Sequence, residues 1–283
     1  MIRFGKDTDK ETLMRMWKLC FPDTDRFIRF YFDSVYASNE TLVYVEKNQP
    51  VASLQMIPYR IKTGDSFSLG GYISGAMTHP DYRKRGYMEQ LLTASFETMR
   101  EKGYTYTFLI PQEDYLVDYY RKFGYENAFP EYFASYRYSE ESKLSNNVNI
   151  YTNHTAYSAF DFPALYTFYS DCLMEKTNVV LKTEIQFLIT LWDFFSEKGV
   201  LFTNDDGFAF SSPKGKSIKL IDFFYRNEET KTEFLQTISA YYGKGTIVFN
   251  DPAVIIPKYK GMIKSLNDSV TAKTDIYMGR MLE

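Results

Sequence analysis

The sequence predicts an α/β (α+β) chain of two tandem domains, each a mixed, mostly antiparallel sheet flanked by helices. Three observations lead there. The chain has 283 residues with 45% hydrophobic and 18% aromatic content, long for one core and sufficient for two. Its first half reads as an antiparallel meander that crosses by one amphipathic helix to a further strand, a connection that makes the last two strands parallel neighbours. After a polar, turn-rich stretch at 139–147, the same order of elements starts again. The expected domains are 1–140 and 147–283.

In order, 1–5 is a short strand. Thr8 and Glu11 have the spacing of a capping box, and Leu13, Met16, Trp17 and Cys20 give the helix that follows a buried face. Phe21-Pro22 ends it. A second helix is expected over 25–36, apolar at Phe27, Phe30, Tyr31 and Val35. Strands at 41–46 and 51–60 are joined by the turn 47–50, and Thr63-Gly64-Asp65 turns the chain into the strand 72–78. Helix 87–102 then crosses to strand 104–110, which Pro111 stops. A short helix runs to Tyr119-Tyr120, and strand 132–138 is expected to close the first domain. The second half reads as a short strand from 148, helices over 162–174 and 183–198, and strands at 200–203, 208–211 and 218–225. Helix 230–242 and strand 246–249 complete it.

The loop Arg83-Lys84-Arg85-Gly86-Tyr87-Met88 stands at the start of the crossing helix, whose face is Met88, Leu91, Leu92, Ser95, Phe96 and Met99. A helix start leaves backbone N–H groups without partners and carries partial positive charge, so an anion is favoured there. Three basic residues add attraction, and Gly86 lets the backbone approach closely. Alone, such a loop is more often a solvated basic turn before an ordinary surface helix. Its place between two strands expected to splay makes a slot in which an extended arm would pair with the backbone of Ala76, Met77 and Thr78.

With the Tyr119-Tyr120-Arg121-Lys122-Phe123-Gly124-Tyr125 segment behind it, this region resembles the GNAT acyltransferases. Arg83 and Gly86 match the Arg/Gln-x-x-Gly-x-Gly/Ala loop of that superfamily, and Tyr120 stands at its offset from the Gly124-Tyr125 pair. Met88 departs from the small residue usual at that position, and the branch resembling the bacterial enhanced-intracellular-survival acetyltransferases often has a bulky apolar residue there. The resemblance implies two tandem GNAT-like domains and acetyl-CoA as co-substrate, held by Ala76, Met77, Thr78, Arg83, Lys84, Arg85, Gly86, Tyr87 and Met88. It implies N-acetyl transfer to a primary amine of a small cationic acceptor, with Tyr120 serving the leaving thiolate. The tail ending in Glu283 resembles those whose terminal carboxylate reaches the catalytic cleft as base. A carboxylate with a pKa of about 3.5 is a poor base for an ammonium, so alone it would mainly attract the cation. The second half lacks the loop: Tyr225 is followed by Arg226-Asn227-Glu228-Glu229, without glycine and with opposing charge, as in a degenerate copy. A non-catalytic acyl-CoA-binding sensor or interaction protein is the alternative.

A net charge of −3 suggests no nucleic-acid footprint. No apolar run approaches membrane-spanning length and the first residues lack a signal-peptide core, so a soluble cytoplasmic protein is expected, with homo-oligomerisation left open. Cys20 and Cys172 lie far apart inside expected helices, and a single possible pair is weak evidence for a disulfide framework. His79 and His154 have no partner at metal-ligand spacing, and no metal is expected. Gly215-Lys216-Ser217 lacks the earlier glycine and the following helix of a nucleotide loop.

Overall fold

The computed structural model describes residues 1–140, 142–152, 161–243, 245–251, 253–267 and 269–282. Its contacts divide the chain into two compact units, one made of 1–128 and 261–274, the other of 129–260 and 275–282.

In the first unit β1 (Ile2–Phe4), α1 (Lys10–Cys20) and α2 (Asp25–Ser34) precede a meander of β2 (Thr41–Glu46), β3 (Gln49–Thr63) and β4 (Ser66–Thr78). Helix α3 (Tyr87–Glu101) crosses to β5 (Tyr106–Leu109), and α4 (Tyr115–Arg121) leads into β6 (Glu126–Glu131). The parallel β4–β5 ladder runs from Gly70↔Tyr106 to Tyr72↔Phe108 and stops there. From Ile73 onward β4 pairs with β3 alone. The cause is a β-bulge: between the pairs Gln55↔Ser74 and Ser53↔Met77, Leu54 faces both Gly75 and Ala76. The extra residue bends β4, and the strand ends open.

Helix α3 lies on one face of this sheet, burying Leu91, Leu92, Phe96 and Met99 among Leu54, Met56, Ile73 and Leu109. Each such side chain contributes roughly 2 kcal/mol of transfer free energy as an upper estimate. On the other core α1 and α2 bury Leu13, Met16, Trp17, Ile28, Tyr31 and Phe32 with Val43 and Met77.

In the second unit β7 (Phe133–Arg137), β8 (Asn149–Tyr151), α5 (Phe162–Met174), β9 (Asn178–Leu181) and α6 (Glu184–Ser196) come first. Then follow β10 (Val200–Asn204), β11 (Gly207–Lys214), β12 (Ser217–Tyr225), α7 (Glu228–Tyr242) and β13 (Thr246–Asn250). Its sheet runs β7-β13-β12-β11-β10-β8, and β12–β13 is its parallel pair, joined by α7 as β4 and β5 are by α3. Even the bulge recurs. Between Ala209↔Phe223 and Ser211↔Leu220, Phe210 faces both Ile221 and Asp222.

Two expectations need correction. The strand at 132–138 does not close the first domain: Phe133–Arg137 pairs with β13 in the second sheet. Its place in the first sheet goes to β14 (Lys258–Ser265), a strand the sequence did not announce, which lies between β5 and β6. Domain limits of 1–140 and 147–283 therefore differ from the compact units. The capping box of Thr8 and Glu11 is also absent. The carboxylate of Asp9 instead accepts from the Lys6 N–H at 2.8 Å and pairs with Arg3 at 2.7 Å, which ties α1 to β1.

Candidate functional site

Where the β4–β5 ladder ends, α3 begins. Gly86 is its N-cap, left-handed at φ 75°, with open space where a Cβ would stand, so it is the backbone angle rather than crowding that calls for glycine. Lys84 is left-handed too, at φ 63°. The first helical bond runs from the Gln90 N–H to the Gly86 carbonyl at 3.1 Å. The N–H groups of Tyr87, Met88 and Glu89 thus lie ahead of the helical ladder, where a phosphate oxygen would be received. Glu89 is the one acid of the first turn, and it is exposed.

The basic side chains divide by task. Arg83 is a strut: its Nε donates to the Thr78 carbonyl at 3.2 Å, and a terminal nitrogen stands 3.7 Å from Cys20 Sγ. Arg85 donates to the Asp81 carbonyl at 3.2 Å, lies over the Tyr82 ring at 4.9 Å and pairs with Glu46 at 3.5 Å. Lys84 is exposed, and no partner is shown for it among the described residues. Tyr87 donates its hydroxyl to Glu46 and stacks on Tyr44 with ring centroids 4.1 Å apart. The bond to Glu46 raises the Tyr87 phenol above its ordinary pKa.

On β4, Met77 turns its side chain into the α1–α2 core and Ala76 packs on the α3 side. The Thr78 carbonyl already accepts from Arg83 and, at 3.4 Å, from Cys20 Sγ. Met88 is half-buried and packs against the α3 core rather than protruding into the loop.

Tyr120 sits on α4, buried, with its ring 5.3 Å from that of Tyr119 and 5.8 Å from that of Tyr125. Its hydroxyl has no hydrogen-bond partner among the described residues. Burial, with smaller contributions from Tyr119 and Tyr115, pushes the phenol pKa well up. Tyr125 is fixed behind it by a 3.0 Å bond between its hydroxyl and Thr107 Oγ1. The structure brings the loop residues Arg83 to Met88 together with Ala76, Met77 and Thr78 at the open end of β4. Glu283 lies outside the described residues, as does His154.

Sequence reasoning missed Glu46, Tyr44, Asp81 and Cys20 as partners of the loop. Only Gly75 carried a readable signal, since a glycine inside a strand marks a bulge.

The second unit starts its helix differently. Asn227 Oδ1 caps α7 by accepting from the Thr230 N–H at 2.8 Å, and Lys231 pairs with Asp251 at 3.0 Å and Glu228 at 3.3 Å. A cavity of about 660 Å³ opens beside the bulge, lined by Ile221, Phe223, Tyr225, Asn250, Lys176 and Tyr277. The Asp222 carboxylate on that bulge accepts from the Tyr277 hydroxyl at 2.6 Å and from the Arg280 N–H at 3.2 Å, so the tail to Leu282 is part of this unit.

Parallel strands opened by a bulge, with a glycine-started helix between them, characterise the first unit. Residues 1–128 match the family model of the acetyltransferase (GNAT) domain. Solved structures share the fold over 94% of the chain. They include a conserved protein of Enterococcus faecalis V583 (11% identity, 72% of that chain, TM-score 0.72). Eis1 from Mycobacterium abscessus matches at 14% identity over 74% of its chain with a TM-score of 0.68. A GCN5-related N-acetyltransferase from Kribbella flavida matches at 17% identity over 72% of its chain, also with a TM-score of 0.68. No curated protein matches the sequence. Among the described residues no helix is long and apolar enough to cross a membrane.

Proposed function

We propose that the first unit transfers the acetyl group of acetyl-CoA to a primary amine of a small cationic acceptor by direct attack. The observation that carries this is the open β4 end beside the unladdered N–H groups of Tyr87, Met88 and Glu89. The pyrophosphate would lie on those groups with Lys84 nearby, and the pantetheine arm along Ala76 and Met77. A backbone N–H near Met77 would receive the developing oxyanion.

In the reaction the neutral amine nitrogen attacks the thioester carbon, a C–N bond forms, and the C–S bond breaks with its electron pair on sulfur. The proton lost by the amine leaves through water. A thiol has a pKa of about 8.5 and an unperturbed phenol about 10, so full proton transfer from Tyr120 to the thiolate costs about 2 kcal/mol before burial is counted. Burial adds to that cost. Tyr120 is therefore assigned as a hydrogen-bond donor to the departing sulfur, with the final proton drawn from solvent.

The second unit is proposed as a degenerate GNAT-like copy that binds no coenzyme, because Asn227 satisfies its helix start and Glu228 and Glu229 repel an anion there. Thiol release on adding primary amines to protein and acetyl-CoA tests the enzyme reading. Tyr120→Phe should lower kcat about 10- to 100-fold with coenzyme affinity retained. Binding of acetyl-CoA without thiol release across a broad amine panel would favour a sensor instead.

A further inference from the structure

Given acetyl-CoA at this loop as proposed above, we infer that Glu46, at the end of β2, is a positioning residue that braces the coenzyme loop through Tyr87 and Arg85. One carboxylate oxygen accepts from the Tyr87 hydroxyl and the other pairs with Arg85 at 3.5 Å. These two residues flank Gly86, the left-handed N-cap, so one side chain grips both sides of the turn on which the anion would sit. Tyr44, two residues earlier on the same strand, adds a stacked ring beneath Tyr87 at 4.1 Å. The carboxylate side chain is about three-quarters covered, with 27% of its surface exposed, which limits screening by solvent.

The physical consequence is pre-organisation. A glycine turn has many backbone states, and ordering it at the moment of binding costs affinity. Tying Tyr87 and Arg85 to a strand places that cost in folding instead. Arg85 has two further holds, the Asp81 carbonyl and the Tyr82 ring, so it is directed by its neighbours and is not left to track a ligand. The brace acts before chemistry and touches no reacting atom. Its loss must appear in coenzyme binding and not in turnover.

The experiment is calorimetric titration of acetyl-CoA into the wild type, Glu46→Ala, Glu46→Gln, Tyr87→Phe and the Glu46→Ala/Tyr87→Phe double variant, with steady-state kinetics and melting curves on each. Glu46→Ala should weaken acetyl-CoA about fivefold and raise KM by the same factor with kcat unchanged. Glu46→Gln, whose amide oxygen still accepts from Tyr87, should fall between Glu46→Ala and the wild type. The double variant should lose no more than Glu46→Ala alone, because the two side chains act as one contact. Unchanged binding in Glu46→Ala with the wild type binding normally overturns the brace and leaves the acetyltransferase assignment standing. Tighter binding in Glu46→Ala overturns it as well, identifying Glu46 as a repelling charge. A wild type that does not bind acetyl-CoA overturns both.

Discussion

The indole of Trp17 lies against the backbone of Gly75, so close that a Cβ on residue 75 would stand 2.6 Å from ring carbon Cζ3. Gly75 is also left-handed, at φ 56°, and is one of the two residues that form the bulge opposite Leu54. The bulge that opens β4 is therefore held by α1, and in the proposed function that opening exposes the helix start to the coenzyme.

Gly75→Ala should be far more damaging than Gly86→Ala. At Gly86 a methyl group meets nothing within 4 Å, so only the left-handed angle is penalised, at about 1 kcal/mol. At Gly75 the same angle is combined with a clash against a buried indole, for a total of about 3 kcal/mol. Urea denaturation of both variants checks the order. Equal losses would remove Trp17 from the account of the bulge.

In the second unit, Lys182 is buried, with its Nζ 3.2 Å from the Tyr169 hydroxyl and 3.3 Å from the Met278 carbonyl. Burial lowers its pKa to about 8, partly offset by Asp222. Between that value and its ordinary 10.5 the unfolded chain holds a proton that the folded unit does not, so stability rises with pH across the window. Below it the cost of keeping the ammonium buried, about 3 kcal/mol, is fully present. Urea midpoints measured from neutral to alkaline pH should climb more steeply for the wild type than for Lys182→Met. Parallel profiles would show that Lys182 keeps an ordinary pKa.

Arg280 in the tail pairs with Asp193 at 2.7 Å and Glu197 at 2.6 Å, and the Asp193 side chain is only 2% exposed. Arg280→Met should cost about 3 kcal/mol by removing the guanidinium from a buried carboxylate. The double change Arg280→Met/Asp193→Leu should recover much of that loss, since no buried charge then remains at either position. Strictly additive losses in a denaturation cycle would contradict the pairing.

The local elements were legible because their signals are local. The apolar face of α3 and the polar turns between β2, β3 and β4 each lie within a dozen residues, and the helix start at Gly86 was readable from the loop that precedes it. What escaped was long-range. Strand β14 pairs with β5 from about 150 residues away in sequence, through Met262↔Leu109 and its neighbours, and nothing in its own alternation names that partner. Strand β6 carries Phe129 at φ 62° followed by Pro130, a pattern that reads as a loop. At the site, the three basic residues of the loop look equivalent in sequence. Their partners, Thr78, Cys20, Asp81 and Glu46, divide them into two struts and one lysine for which no partner is shown among the described residues.

The proposed function places an acyl-CoA pyrophosphate on the helix start at Gly86. Calorimetric titration of acetyl-CoA into the wild type and a Gly86→Asp variant tests it most directly, because aspartate tolerates the left-handed angle while placing a negative charge where the anion would lie. The account predicts saturable binding, with a Kd on the order of micromolar, to the wild type and its loss in the variant with the melting curve preserved. Equal binding by both proteins would place the coenzyme elsewhere, and a wild type that binds no acetyl-CoA would contradict the proposed function itself.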